Sequence, residues 1–79
     1  MKFEVFVTLK KDVLDPQGKA VENALSDIGL NAITNIRQGK YFTLEVNEND
    51  ENKASDLVKS SCEKLLANQT IENFKFNKI

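Results

Sequence analysis

The sequence predicts an α+β fold with the element order βαββαβ, and three observations carry that prediction. Residues 2–9 alternate between apolar and polar side chains, the period of a half-buried strand. Residues 16–29 carry an apolar stripe at helical spacing between a recognisable start and stop, and a second such stripe runs through residues 54–65. Strand-like stretches follow each helix and precede the second one. Right-handed crossovers in that order build a four-stranded antiparallel sheet with both helices on one face, the ferredoxin-like split βαβ arrangement.

Each element has a local justification. In the first strand Phe3, Val5, Val7 and Leu9 point to one side, with Lys2, Glu4, Phe6 and Thr8 on the other. Asp15 before Pro16 starts the first helix, because the residue before proline is pushed to extended angles, proline suits the first helical position, and an aspartate there caps free amides. Ala20, Val21, Ala24, Leu25 and Ile28 form its stripe, and Gly29 supplies the left-handed stop. The stripe is expected to cover one face of the sheet. Residues 30–37, apolar and β-branched, read as a second strand, joined through a turn at Gln38-Gly39 to a third over residues 40–46, where Phe42, Leu44 and Val46 share a face. The acidic stretch before Asn52 starts a second helix reaching about Ala67, with Asn68 as a left-handed cap, and Phe74 and Phe76 share a face of a last strand over residues 71–76.

Composition bounds the function. The chain of 79 residues is read as one domain spanning residues 1–79, small enough that self-association is a plausible source of further stability. Eleven basic against twelve acidic residues leave a net charge of −1, which gives no footing for nucleic acid or a membrane surface. One cysteine and no histidine exclude an internal disulfide and point to a reducing, cytoplasmic compartment. Cys62 lies within an apolar helical stripe and reads as a core residue rather than a nucleophile, since a reactive thiol needs exposure and a positive neighbourhood. Asp50, Glu51 and Asp56 are accounted for by their place at a helix N-terminus, so no metal site is expected. No glycine-rich phosphate loop is present, and no catalytic residue is expected. The Arg37-Gln38-Gly39-Lys40-Tyr41-Phe42 run is reminiscent of an RNA-recognition strand, but Thr43 and Glu45 stand where that signature wants aromatics.

What remains are surfaces. Gly18 in a first helical turn costs about 1 kcal/mol relative to alanine, and Lys19 sets positive charge against the positive end of the helix dipole. Neither is explained by the helix itself. With Arg37 and Lys40 beside the expected hairpin turn, Gly18 and Lys19 are the candidate partner contacts. Phe6 and Tyr41 fall on the sheet face that neither helix covers and are the candidate dimer face. A free-standing module that binds a small ligand at the Gly18-Lys19 helix start is the alternative these residues allow.

Residues 14–21 (Leu-Asp-Pro-Gln-Gly-Lys-Ala-Val), Ala24-Leu25, residues 36–40 (Ile-Arg-Gln-Gly-Lys), residues 62–68 (Cys-Glu-Lys-Leu-Leu-Ala-Asn) and Ile71-Glu72 together resemble the PurS family, the small subunit of phosphoribosylformylglycinamidine synthase. The likeness spans nearly the whole chain and departs at Gln69-Thr70, where the family more often has a proline-containing turn. It implies a role in purine biosynthesis, in a complex that uses ATP and glutamine to convert formylglycinamide ribonucleotide into formylglycinamidine ribonucleotide. A glutaminase subunit would release ammonia. A synthetase subunit, the expected holder of ATP and magnesium, would activate the amide. The small subunit, a homodimer or higher even oligomer, would bind both and assist ammonia transfer with no cofactor of its own.

Overall fold

The computed structural model describes residues 1–79 and contains three strands, not four. The elements are β1 (Lys2–Leu9), α1 (Pro16–Asp27), β2 (Gly39–Glu45), α2 (Glu51–Ser61), a π-helical turn (Cys62–Leu66) and β3 (Glu72–Lys78). The sheet is antiparallel with the order β2-β1-β3. β1 is central because its alternating Phe3, Val5 and Val7 can be buried only if both sides of the strand are paired.

Register explains which residues share a face. Val5 stands opposite Phe42 on β2 and Phe76 on β3, and Phe3 meets Leu44, so the inner face is aromatic and aliphatic. α2 lies on that face and buries Ala54, Val58 and Cys62, four residues apart, against Phe3, Val5 and Val7. Asp50 starts this helix as its side chain accepts from the N–H groups of Asn52 (2.9 Å) and Lys53 (3.3 Å). Its end departs from expectation. The helix widens into a π-helical turn closed by Ala67 N–H to the Cys62 carbonyl (3.0 Å), and Ala67 is already extended at φ −123°. Asn68 is therefore not a left-handed cap. Its Oδ1 accepts from Thr70 N–H (3.1 Å) and its carbonyl from Ile71 and Glu72, a turn that delays β3 to Glu72.

The expected strand over residues 30–37 does not form, and the reason is local. α1 ends as predicted at Gly29 (φ +92°), with Gly29 N–H bonded to the Ser26 carbonyl and Leu30 N–H to that of Leu25. Beyond it Asn35 adopts φ +58°, which breaks a pleat, and the amides of Ile36 and Gln38 are taken by carboxylates of α1 and its cap instead of by a neighbouring strand. Gln38-Gly39 is correspondingly not a hairpin turn. Gly39 opens β2 opposite Thr8, and a Cβ there would sit 2.6 Å from the Val7 carbonyl oxygen and 3.1 Å from Thr8 Cγ2, so closeness to β1 is what requires glycine.

α1 also fails to cover the sheet. No residue of α1 belongs to the hydrophobic core, its only buried residue is Gly18, and Val21 and Ile28 remain 44% and 71% exposed. The chain is elongated, 50 × 25 × 14 Å, with a radius of gyration of 16.0 Å. A compact chain of this length would have about 12 Å. An eight-residue strand spans about 27 Å. The long axis therefore requires α1 to project from the sheet as an arm, leaving at the end marked by Leu9 and Gly39.

Candidate functional site

The arm is held by a cluster of carboxylates at its root. Asp15 sits in extended backbone (φ −114°, ψ 90°) just before Pro16, where it is buried, and its Oδ1 accepts from Gly18 N–H at 2.8 Å. That bond is the predicted cap. The other oxygen reaches out of the helix and accepts from Gln38 N–H at 2.7 Å. One turn along, Glu22 Oε1 accepts from Ile36 N–H at 3.3 Å, while its second oxygen faces Lys19 Nζ at 3.5 Å. From the opposite side Arg37 Nη2 donates to the carbonyls of Val13 (2.8 Å) and Lys10 (3.1 Å). The segment leaving β1 and the segment entering β2 are thus strapped together at the start of α1.

This strap gives Gly18 a reason inside the chain. A methyl group there would run into the Ile36 carbonyl oxygen and the Asp15 carboxylate. Close packing of the returning segment demands a residue without a side chain, and the helix bears the usual penalty for glycine. Lys19 is likewise answered by Glu22. Gly18, Lys19 and Arg37 are therefore brought together, whereas Lys40 lies apart on β2, with Nζ 3.6 Å from Glu72 Oε2 of β3. The expected basic hairpin tip does not exist, since Arg37 is turned onto backbone carbonyls and no hairpin joins it to Lys40. An external anion also has no place at the first turn of α1, because the Asp15 carboxylate already occupies it.

Phe6 and Tyr41 do pair on the outer face of the sheet, with ring centroids 5.1 Å apart. Lys75 Nζ lies 5.4 Å from the Phe6 ring, and Tyr41 donates its hydroxyl to Glu4 Oε1 at 3.0 Å. Phe6 is half-buried by these neighbours, and Tyr41 stays 56% exposed. The hydrogen bond to Glu4 raises the Tyr41 pKa, with desolvation and the nearby negative charge acting in the same direction. Burial pushes the Cys62 thiol up as well, which leaves it protonated and inert. No group of three or more His, Cys, Asp or Glu side chains is arranged to hold a metal ion. Glu22, Ile36 and Gln38 were absent from the sequence-derived candidates, because nothing in their spacing signals contact across the fourteen and more residues that separate them from their partners.

The site is thus a structural latch with open apolar surfaces on either side, the anatomy of a subunit that works through contacts. Comparison with known proteins agrees. The family model for PurS, phosphoribosylformylglycinamidine (FGAM) synthase, matches residues 2–79. The PurS subunit of FGAM synthase from Bacillus subtilis is 45% identical over 95% of this chain and 88% of its own length, and the Synechocystis subunit is 42% identical over 91% and 72%. Among solved structures, B. subtilis PurS superposes with a TM-score of 0.87 at 45% identity, covering 96% of this chain and 94% of that one. The structure of PurLQS from Thermotoga maritima matches with a TM-score of 0.90 at 32% identity over 99% and 95%. The chain belongs to the PurS family and is a subunit of FGAM synthase in purine biosynthesis.

Two outcomes test the latch. Gly18→Ala, which would stabilise an unobstructed helix by about 1 kcal/mol, is expected here to destabilise the protein by about 1–3 kcal/mol, the usual range for overpacking, as read from urea midpoints. The second concerns acid. The amides of Gly18 and then Gln38, with Arg37 nearby, hold the Asp15 carboxyl below the usual carboxylate range, and the Ile36 amide, with Lys19 nearby, does the same for Glu22. A carboxyl whose pKa is depressed by folding contributes stability that is present above its unfolded value, about 4, and lost as the pH falls through the folded one. Urea midpoints of the wild type are therefore expected to drop from pH 5 to pH 3 by more than those of Asp15→Asn/Glu22→Gln. Equal drops would contradict the assignment.

Proposed function

We propose that this chain is the non-catalytic small subunit of FGAM synthase, that it self-associates as a homodimer or higher even oligomer, and that it bridges a glutaminase and a synthetase subunit so that ammonia passes between them. ATP and magnesium then belong to the synthetase subunit, and the small subunit binds no cofactor. The observation that carries the reading is the coverage of nearly the full chain by its match to the T. maritima PurLQS structure. Support also comes from the chemistry of the surface: apolar side chains such as Leu14, Ile28, Leu57 and Leu65 are exposed, while the titratable groups that are buried serve the latch or the core. Buried groups engaged in that way have no freedom for acid, base or nucleophilic work.

The docking surfaces in this reading are the root of the arm, with Lys19 and the rim of Arg37, the side of β2 bearing Lys40, and the Phe6–Tyr41 face. A subunit of this kind acts in a reducing, cytoplasmic setting, and no helix is long and apolar enough to cross a membrane. The three-stranded sheet carries Glu4, Thr43 and Asn77 around Phe6, which suits protein contact better than a polyanion.

Reconstitution tests the proposal. The purified chain alone is expected to show neither glutaminase nor ATP turnover, and glutamine-dependent formation of formylglycinamidine ribonucleotide is expected only when it is combined with both larger subunits. Lys40→Ala removes the exposed end of a pair whose other end, Glu72, is largely covered, and should lower stability by about 1 kcal/mol while weakening assembly of the complex. ATP hydrolysis that follows this chain through purification would refute the non-catalytic assignment, and undiminished assembly of the Lys40 variant would remove that side of β2 from the docking surface.

A further inference from the structure

The two edges of the sheet are both unpaired, and they differ in chemistry. Ile79 N–H donates to the Lys2 carbonyl and Lys10 N–H to that of Ile71, each at 2.9 Å, so the ladder between β1 and β3 uses the odd-numbered residues of β3. Phe74, Phe76 and Lys78 therefore turn their amides and carbonyls to the free edge. On the other side Met1 and Val46 exchange both bonds, at 2.8 and 2.7 Å, which leaves the backbone of Tyr41, Thr43 and Glu45 facing out from β2. An open row of donors and acceptors is a template for one more strand, and native proteins ordinarily block it with a proline, a bulge or an edge lysine that reaches outward. β3 has no proline and pairs with β1 in unbroken register. Its central lysine, Lys75, folds back over the sheet with Nζ 5.4 Å from the Phe6 ring and does not bar the edge.

Charge distinguishes the two edges. Lys10, Lys59 and Lys75 surround the free side of β3, and none of the ion pairs within the chain uses them. Lys75 belongs to the outer face of the strand. Lys59 stands over the inner face, because the space between β2 and α2 adjoins the flank of the helix bearing Leu57 and Ser61, and helical spacing sets Ser55 and Lys59 on the flank towards β3. On that flank Glu51, at the start of α2, meets Lys78 of β3 at 3.8 Å. Lys10 lines a recess of about 340 Å³ at the head of β3, with Gln69, Glu72, Asn73 and Phe74. The one carboxylate on β3, that of Glu72, is already engaged: Oε1 accepts from Asn68 N–H at 2.7 Å and Oε2 faces Lys40 at 3.6 Å. The β2 edge offers no such set, since Lys40 reaches across the sheet to Glu72, Glu45 is matched by Lys2 and Tyr41 is bound to Glu4. A second copy does not suit the β3 edge, because antiparallel pairing of two such strands about their centre sets Lys75 against Lys75 and doubles the uncompensated charge.

We propose that the free edge of β3 takes an extended acidic segment of one of the larger subunits as an added strand, with carboxylates facing Lys75 on the outer side, Lys59 on the side of α2 and Lys10 at the head of the strand. This rests on the reading of the chain as a subunit that joins two larger ones, and it names a surface by which one of them is held. Backbone bonds to Phe74, Phe76 and Lys78 supply the pairing, and the lysines select an acidic segment over others. The arm and the Phe6–Tyr41 face stay outside this contact.

Hydrogen exchange read at single residues tests this, comparing the isolated small subunit with the complex reconstituted from it and the purified glutaminase and synthetase subunits. The amides of Phe74, Phe76 and Lys78 are expected to exchange near unfolded rates in the isolated protein and to become protected in the complex, with those of Tyr41 and Thr43 at the β2 edge unchanged. Lys59 is exposed, and Lys59→Glu is expected to raise the apparent Kd of assembly by about tenfold while Lys59→Arg leaves it unchanged. Sedimentation of the small subunit alone is expected to be the same for each protein. Lys75→Gln, on the opposite face of the strand, gives an independent reading should the helix variant fold poorly. Assembly in which Phe74, Phe76 and Lys78 stay in fast exchange would overturn the strand addition while leaving the bridging role intact. Failure of the wild-type chain to assemble with either larger subunit would overturn both. Protection of the same amides in the isolated protein that grows with its concentration would place a second copy on this edge and refute the proposal. Undiminished affinity in both lysine variants would likewise refute the acidic character of the added strand.

Discussion

One carboxylate organises this protein. Asp15 accepts an amide hydrogen from Gly18 within its own helix and another from Gln38, twenty-three residues away. The first bond is an ordinary helix cap and would exist in any fold that began a helix at Asp15-Pro16. The second turns the cap into a tie between the two ends of a long excursion, residues 10 to 38. Because charge-assisted hydrogen bonds to a buried carboxylate are strong and short, both amides are satisfied without water. The segment entering β2 is thereby placed where it presses on the helix backbone, which is why Gly18 has no side chain. Glu22 and Arg37 repeat the device from two further directions.

The consequence for the architecture is large. Amides of Ile36 and Gln38 that are bound by carboxylates are not free to join a sheet, so the expected fourth strand is absent and β2 is left as an edge. The same ties hold α1 outward, so its apolar stripe stays in water and the inner face of the sheet is covered by one helix only. Burying a leucine or valine is worth about 1.5–3 kcal/mol. A small chain with a stripe of such side chains in water is therefore short of stabilising contacts, and a protein partner that covers them supplies what the protomer lacks. Local electrostatics at one helix start thus decide what kind of protein this is: a subunit.

Much of this was legible in the sequence. β1, β2 and β3 followed from period-two alternation, both helices from their stripes, and the Asp15-Pro16 start and Gly29 stop were located to the residue. Cys62 was correctly placed in the core. The failures share a cause. Residues 30–37 have strand composition, yet composition reports what a segment tolerates and not which donors its amides find, and here the donors' partners were carboxylates remote in sequence. Gly18 looked like a flaw because its neighbour, the Ile36 carbonyl, lies eighteen residues on. Gly39 was misread for the same reason, being required by Val7 across the sheet rather than by a turn. Periodicity reveals faces, whereas close approach between distant segments leaves no periodic trace.

The central claim is that side-chain carboxylates, in place of a strand, hold residues 30–38 in position. Amide hydrogen exchange at Gln38 and Ile36 in the native protein measures this directly, because a loop amide without a partner exchanges as fast as an unfolded one. The account predicts protection at both amides comparable to that within α1, with protection at Gln38 lost in Asp15→Ala and protection at Ile36 lost in Glu22→Ala while the β1–β2 amides remain protected. Fast exchange at both positions in the wild type, or protection that survives removal of the carboxylates, would contradict it.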